Sequence, residues 1–282
     1  MRIYENAVLK LAKHWVAGSS IYEVISYAKN ANSAHMDAII NYLGEHLIDT
    51  HEIEACMDEY KRLVDAIHSN GIKGSISLKL TQIGLDVGYE ECLSNARRIV
   101  DYAYKQGIFT WIDMESFDYY EDTLDVYLTL IKEYKDYVGV AYQAYIKDNA
   151  LDIMSIIDSN GIVRLVKGAY REDPHTVYRS KRYVNLSFMR LMHILFEHAD
   201  RFAIATHDKA LIDYAIVLSS KSSAEFEFQM LKGIRDDLKS RLVEQGFNVA
   251  EYIPYGNNVS AYAMRRIKER PTNLLLLARS LL

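Results

Sequence analysis

Eight short apolar segments recur along the chain, separated by longer stretches with a helical pattern. They are MDAIINYL from Met36, SISLKL from Ser75, FTWIDM from Phe109, VGVAYQAY from Val138, IVRLVKGA from Ile162, FAIATH from Phe202, EFEFQM from Glu225 and VAEYIPYG from Val249. Several of them show no clean alternation of polar and apolar residues, which is typical of strands that are covered on both faces. We therefore expect eight strands inside a layer of helices.

The stretches between these segments place their apolar residues on one stripe, as amphipathic helices do. Examples are EECLSNARRIVDYAYKQG, which ends on Gly107, and DTLDVYLTLIKEYKDY from Asp122. A strand and its helix take about 25 to 40 residues, the size of a βα unit. Eight such units predict an α/β fold, a distorted (β/α)8 TIM-like barrel, with an open doubly wound sheet as the alternative. Residues 1–34 are predicted to be an N-terminal helical extension and residues 35–282 the catalytic barrel domain.

Composition narrows the class of protein. A chain of 282 residues, half of them hydrophobic, suits one barrel, and a net charge of -5 argues against nucleic acid as the main partner. Cys56 and Cys92 are far apart, in no metal-like spacing, and predict reduced thiols of a cytosolic protein. The first residues, MRIYENAVLKLAKHW, resemble an amphipathic helix more than a signal peptide, and the apolar run LLLLA is too short to span a bilayer. The sequence predicts no metal site, no P-loop and no G-x-G-x-x-G motif.

Polar residues fall at the ends of the predicted strands, where a barrel carries its chemistry. In chain order they are Lys79, Asp113, Gln143, Arg164 with Lys167, Thr206 with His207, Gln229, and Tyr252 with Tyr255. Each alone is explained by a solvated loop, an ion pair or a helix cap, and Asp208 indeed looks like a helix start. Arg164 is harder to dismiss, because a guanidinium inside an apolar strand needs a charged or polar partner. One polar cavity at the barrel mouth explains all of them together.

Basic residues outnumber acidic ones in this predicted cavity. They are Lys79, Arg164, Lys167, Arg265 and Arg266, against Asp113 and Glu269. The cavity should therefore bind an anion. Two other classes of function remain open at this point. Lys79 or Lys167 could serve as the nucleophile of a Schiff-base lyase, and a non-catalytic barrel could bind a small anion.

Six segments, taken together, resemble the proline dehydrogenase family. They are SLKLTQIGL, DMES, RLVKGAYRE, ATHD, FEFQMLKG and YIPYG followed by YAMRRIKERPTN, and they occur in the family's order and at its spacing. The resemblance implies a distorted (β/α)8 barrel that binds FAD without a Rossmann domain. It implies oxidation of L-proline to 1-pyrroline-5-carboxylate by hydride transfer to flavin N5, with electrons passed to a membrane quinone.

The resemblance also implies roles for individual residues. Lys79, Arg265 and Arg266 would hold the substrate carboxylate, and Glu269 would pair with one of these arginines. Tyr170, Leu231, Tyr252 and Tyr262 would form the wall around the proline ring. Asp113 and Arg164 would be the catalytic residues, with Arg164 near flavin N5. The cofactor would be contacted by Asp113, Met114, Gln143, Arg164, Lys167, Gly168, Ala169, Thr206 and His207.

Two positions bear on how far the resemblance extends. Asn41 stands where the family often has an aspartate, which puts the contribution of the first strand in doubt. Tyr252 matches the tyrosine that accompanies proline as substrate, whereas a smaller residue there resembles the enzymes that oxidise 4-hydroxyproline. We expect a cytoplasmic protein, and both a peripheral contact with the inner face of the cell membrane and an oligomer are compatible with the sequence.

Overall fold

The structure, a computed structural model, describes residues 14–147, 150–257, 259 and 262. Eight parallel strands pair in chain order and close into a barrel. The strands are β1 (Asp37–Tyr42), β2 (Gly74–Leu78), β3 (Phe109–Ile112), β4 (Val138–Gln143), β5 (Ile162–Val166), β6 (Arg201–Ala205), β7 (Glu225–Leu231) and β8 (Val249–Tyr255). β1 pairs with β8, with Ile39 opposite Tyr252. The predicted barrel is confirmed and the open sheet is wrong.

Eight α-helices lie within the described ranges. They are α1 (Ile21–Ser33), α2 (Thr50–Ser69), α3 (Tyr89–Lys105), α4 (Tyr120–Tyr134), α5 (Ala150–Asp158), α6 (Lys181–His198), α7 (Lys209–Ser219) and α8 (Asp236–Glu244). α1 precedes β1, and each of the other seven follows one of the strands β1 to β7. The two stretches read as amphipathic helices are α3 and α4, and both bury one apolar face against the barrel.

A layer of side chains inside the barrel forms the floor below the strand ends. Its buried members are Ile39, Trp111, Ile162, Ala203 and Ala250. Because successive side chains of a strand alternate between its two faces, the residue two positions later on each strand also points inward. Those residues are Asn41, Asp113, Arg164, Ala205 and Tyr252. The fold thus brings polar groups from four of these five strands together one layer above an apolar floor.

The segment before α1 packs on the carboxyl end of β8. The amide of Ala17 donates to the carbonyl of Pro254 at 2.8 Å, and the amide of Gly256 donates to the carbonyl of Gly18 at 3.0 Å. α1 then begins with a capping box between Ser20 and Glu23. A helix before the first strand agrees with the sequence, while the domain boundary at residue 34 stays a prediction.

The helices that the structure describes include none that is both long enough and apolar enough to cross a membrane. The amphipathic pattern at residues 1–13 and the apolar run near residue 275 lie outside the described residues.

Candidate active site

A cavity of about 1120 Å³ opens at the carboxyl ends of the strands. The residues to which the family resemblance assigns a role, where they fall within the described part of the chain, all line it: Lys79, Asp113, Met114, Gln143, Arg164, Lys167, Gly168, Ala169, Tyr170, Thr206, His207, Leu231, Tyr252 and Tyr262. Arg265, Arg266 and Glu269 lie outside the described residues. The structure thus brings fourteen residues from seven strand ends and the segment after β8 around one space.

Arg164 lies at the floor of the cavity with 3% of its side chain exposed. Its Nη1 donates to Asp113 Oδ1 at 2.6 Å and to Ser77 Oγ at 3.1 Å. The guanidinium lies over the Trp111 ring, 4.4 Å from the ring centroid. Burial lowers the pKa of Arg164 and the Asp113 carboxylate opposes that shift. The buried arginine therefore has the acidic partner that its position in an apolar strand required.

Asp113 also fixes the tyrosine of β8. The Tyr252 hydroxyl donates to Asp113 Oδ2 at 2.6 Å. Burial, and then the neighbouring Asp113 carboxylate, raise the pKa of Tyr252 well above its usual value. Its hydroxyl therefore stays protonated and remains a donor. The two oxygens of one carboxylate thus hold Arg164 on one side and Tyr252 on the other.

Lys79 follows β2, and its ammonium group contacts two side chains at the cavity mouth. Its Nζ lies 2.8 Å from Glu45 Oε1 and donates to the Tyr170 hydroxyl at 3.2 Å. Burial lowers the pKa of Lys79, but the nearby tyrosine and carboxylates outweigh burial, so the pKa is raised overall. Sequence reasoning missed Glu45, and the signal was available, since Glu45 is the first charged residue after the apolar segment of β1.

Lys167 follows β5 and faces the side of the cavity formed by α6 and α7. Its Nζ donates to Asp208 Oδ2 and to Asn185 Oδ1, both at 2.8 Å. Burial raises the pKa of Asp208, but the hydrogen bond and charge of Lys167, the hydrogen bond from Asn185 and the charge of Lys181 together outweigh burial and lower it overall. Asp208 also accepts from the amide of Ala210 as the N-cap of α7, so the predicted helix start is confirmed.

His207 contacts β7 rather than a helix. Its Nε2 accepts the backbone N–H of Leu231 at 2.9 Å. Because a backbone amide can only donate, Nε2 carries no proton and the ring proton lies on Nδ1. His207 therefore fixes the backbone at the point where β7 presents the Leu231 side chain to the cavity.

Three side chains that line the cavity have buried polar atoms without a hydrogen-bond partner among the described residues. They are Gln143 Oε1, Gln229 Oε1, and Nε and Nη2 of Arg164. Gln143 is oriented by its Nε2, which donates to the carbonyls of Met114 and Glu115. A buried polar group left unsatisfied costs about 1 to 3 kcal/mol, so this arrangement suits a ligand with both donors and acceptors.

Basic residues outnumber acidic ones among the lining residues, as predicted, but the residues that supply the excess differ from those expected. Five basic side chains line the cavity, namely Lys79, Arg164, Lys167, Lys181 and Lys209, against the three carboxylates Glu45, Asp113 and Asp208. The first three cations each have an acidic partner within 2.8 Å. The positive excess among the lining residues thus comes from the lysines that begin α6 and α7.

One tyrosine of β8 lies elsewhere than the sequence suggested. Tyr255 points away from the cavity, and its hydroxyl donates to Glu59 of α2 at 3.0 Å. Tyr252 and Tyr255 are three residues apart, so a strand must place them on opposite faces. Asn41, whose role was in doubt, is buried, lines the cavity and donates from Nδ2 to the carbonyl of Ser77.

Known proteins resemble the chain over nearly its whole length. The family model for proline dehydrogenase matches residues 24–275. Proline dehydrogenase 1 of Bacillus subtilis (strain 168) is 35% identical over 274 residues, which cover 96% of this chain and 90% of the relative. The proline dehydrogenase of Deinococcus radiodurans is 33% identical over 279 residues, which cover 96% of this chain and 90% of the relative.

Solved structures share the fold. The crystal structure of proline utilization A from Bdellovibrio bacteriovorus inactivated by N-propargylglycine has a TM-score of 0.86 and 25% identity, and the match covers 93% of this chain and 33% of that chain. Proline utilization A from Corynebacterium freiburgense has a TM-score of 0.80 and 20% identity, over 99% of this chain and 34% of that chain. The chain thus spans about a third of these longer proteins. The chain belongs to the proline dehydrogenase family.

Proposed function

We propose that this chain is an FAD-dependent enzyme that oxidises L-proline to 1-pyrroline-5-carboxylate and passes the electrons to a quinone. The observation that carries the proposal is the buried edge of Arg164. Its Nε and Nη2 are buried and have no hydrogen-bond partner in the described part of the chain, while Nη1 is fixed by Asp113. A fixed cation at the floor of a cavity suits an electron acceptor that gains negative charge during the reaction.

The cavity residues fit a flavin. An isoalloxazine ring has one N–H donor and several carbonyl and ring-nitrogen acceptors, which complement the free oxygens of Gln143 and Gln229 and the free donors of Arg164. Gly168 has φ +95°, and a Cβ at this position would approach the Tyr145 ring to 2.4 Å. Only glycine therefore fits at this position. The volume exceeds the range of about 300 to 1,000 Å³ typical of a site for one ligand, which leaves room for a substrate beside the cofactor. Lys167, Gly168, Ala169, Thr206 and His207 would hold the remainder of FAD.

The substrate carboxylate would bind at Lys79. An ammonium group has three N–H donors, and the contacts that it makes within the described part of the chain, to Glu45 and Tyr170, engage two of them. The third is available for a charge-assisted hydrogen bond to a carboxylate. The raised pKa of Lys79 keeps it protonated for this role. In this proposal Arg265 and Arg266 complete the carboxylate site, as the family resemblance implies.

The proline ring would lie between Tyr252, Leu231, Tyr170 and Tyr262. FAD, when bound, supplies the two-electron acceptor for the hydride that leaves proline C5. The residues of the chain hold the ring in one orientation, so that C5 faces the acceptor. Asp113 contributes by position, because it holds both the Arg164 guanidinium and the Tyr252 hydroxyl. The substrate amine must be neutral for its lone pair to assist the departure of the hydride.

The alternatives fit this geometry less well. A Schiff-base lysine needs a neutral amine, whereas the pKa of Lys79 is raised and Lys167 is paired with Asp208. Oxidation of 4-hydroxyproline needs space beside C4. The Tyr252 ring is anchored through its hydroxyl and cannot turn aside without losing the bond to Asp113. Proline is therefore the proposed substrate.

The electron acceptor and the location follow from the same family resemblance. We propose that a membrane quinone reoxidises the flavin, and that the protein is cytoplasmic and meets the inner face of the cell membrane peripherally. Sedimentation with quinone-containing vesicles, and proline-dependent reduction of that quinone, test this part separately.

The purified protein gives the first test of the cofactor. We expect it to be yellow, with flavin absorption bands in the visible spectrum, and to release FAD when denatured. If it stays colourless after incubation with FAD, the flavoenzyme proposal is wrong. Release of FMN instead would change only the identity of the cofactor.

A further inference from the structure

A buried lysine outside the cavity contacts the backbone of a cavity wall residue. Lys239 of α8 has only 1% of its side chain exposed. Its Nζ donates to the carbonyl of Leu231 at 3.2 Å, forms an ion pair with Glu251 of β8, and lies 2.5 Å from Asp236 Oδ1. These three acceptors satisfy all three N–H donors of the ammonium group. Lys239 thus links α8, β7 and β8 behind the cavity.

Leu231 is held by side chains on both sides of its backbone. Its N–H donates to His207 Nε2 at 2.9 Å, and its carbonyl accepts from Lys239. The carbonyl also accepts from the amide of Ile234 at 3.3 Å, which closes a turn that contains Gly233. Leu231 is the last residue of β7, and its side chain lines the cavity. Its position therefore depends on two side chains as well as on the strand ladder.

We infer that the buried pair of Lys239 and Glu251 is a positioning device that sets how closely the Leu231 side chain fits the substrate ring. This inference rests on the proposed function, in which Leu231 forms part of the wall around proline. Lys239 acts through the backbone of Leu231 and touches neither substrate nor cofactor. Loss of the pair would let the end of β7 relax outward, enlarging the cavity on that side.

The relaxation would affect tight binding of a five-membered ring more than the chemical step. A missing methylene contact in an apolar pocket changes specificity about 10- to 200-fold, and partial displacement of Leu231 should cost less than that. We expect KM for L-proline to rise about three- to tenfold with kcat changed less than about twofold, because uniform binding is lost. The cavity should also discriminate less between five-membered and six-membered rings.

The test compares a charge-free pair with a matched control. Lys239→Met combined with Glu251→Leu removes both buried charges, a replacement that folded proteins often tolerate. Arg241→Met is the control, because Arg241 lies on the same helix and forms an exposed pair with Asp237. The probes are tetrahydrofuran-2-carboxylate and tetrahydropyran-2-carboxylate, which keep the carboxylate and differ in ring size. The measurements are KM and kcat for L-proline, the two inhibition constants, and the melting temperature.

The double variant should raise KM as stated and reduce the preference for the five-membered inhibitor at least about threefold, whereas the control changes neither. In a Leu231→Ala background, the same double substitution should change KM no further, because the residue through which it acts is gone. Unchanged KM and ring preference in a folded double variant would overturn the inference and assign Lys239 a purely structural role. Effects of the double substitution that multiply with those of Leu231→Ala would overturn it too.

If the double variant does not fold, Glu251→Gln keeps the side-chain volume and should give a smaller shift in the same direction. Failure of the unmodified protein to oxidise L-proline would contradict the proposed function and this inference together.

Discussion

Two of the lysines that line the cavity, Lys79 and Lys167, separate substrate binding from cofactor binding most sharply. Lys79 and Lys167 both follow strands, and each has a carboxylate partner at 2.8 Å. We assign Lys79 to the substrate carboxylate and Lys167 to the cofactor. Lys79→Met should therefore weaken proline binding while the flavin content stays unchanged, and Lys167→Met should do the reverse. Each variant is the control for the other.

The magnitude follows from the contact that is lost. A hydrogen bond to a charged group contributes about 1.5 to 3 kcal/mol, which corresponds to an increase in KM of about ten- to hundredfold for Lys79→Met. Glu45 competes for the same ammonium and would repel a carboxylate bound there. At a separation of about 5 Å and with the screening of water, that repulsion is about 0.8 kcal/mol. Glu45→Gln should therefore lower KM about fourfold.

The assay is steady-state oxidation of L-proline with a soluble quinone as acceptor, with the pyrroline product trapped by an aminobenzaldehyde. Flavin content per protein comes from absorption spectra before and after denaturation. If KM for proline is the same in Lys79→Met as in the unmodified protein, Lys79 does not hold the carboxylate. Loss of flavin from Lys79→Met with normal KM would reverse the two assignments.

Three further predictions concern single side chains. Arg164→Met should slow anaerobic reduction of the flavin by proline in a stopped-flow experiment, because the buried cation paired with Asp113 is lost. An unchanged rate would place Arg164 outside the reacting centre. The unmodified protein should prefer L-proline to trans-4-hydroxy-L-proline in kcat/KM by about five- to 150-fold, and Tyr252→Ser should narrow that gap mainly by losing proline activity. Equal turnover of both substrates by the unmodified protein would contradict the role of Tyr252. Arg265→Ala or Arg266→Ala should raise KM for proline about ten- to hundredfold with little change in flavin content, and normal kinetics in both variants would mean that they form a solvated face.

The strands could be located from the sequence because parallel strands in a barrel are buried on both faces. IVRLVKGA and VGVAYQAY stand out as short apolar runs, and they became β5 and β4. Arg164 was informative for the same reason, since a charge in such a run has to meet a partner inside the barrel. The strand ends then indicated the cavity, because all strands of a parallel barrel end on the same side.

The partners of these residues could not be predicted from the sequence in the same way. Glu45 and Lys79 are separated by 34 positions, and Tyr170 is more distant still, so only the closed barrel brings them together. From the sequence, Lys239 resembles an exposed residue of a polar helix. It is buried because α8 packs against the C-terminal end of β7. The opposite directions of the Tyr252 and Tyr255 side chains do follow from the sequence, because residues three positions apart on a strand lie on opposite faces.

Anaerobic titration of the purified protein with L-proline tests the proposed oxidation without an added acceptor or a variant. We expect the visible bands of a bound FAD to lose their absorbance as L-proline is added, and 1-pyrroline-5-carboxylate to form in an amount equal to the flavin reduced. Reoxidation by a soluble quinone should then restore the spectrum. A flavin spectrum that remains unchanged at saturating L-proline would rule out L-proline as the substrate, since the cavity would then hold the cofactor without oxidising it.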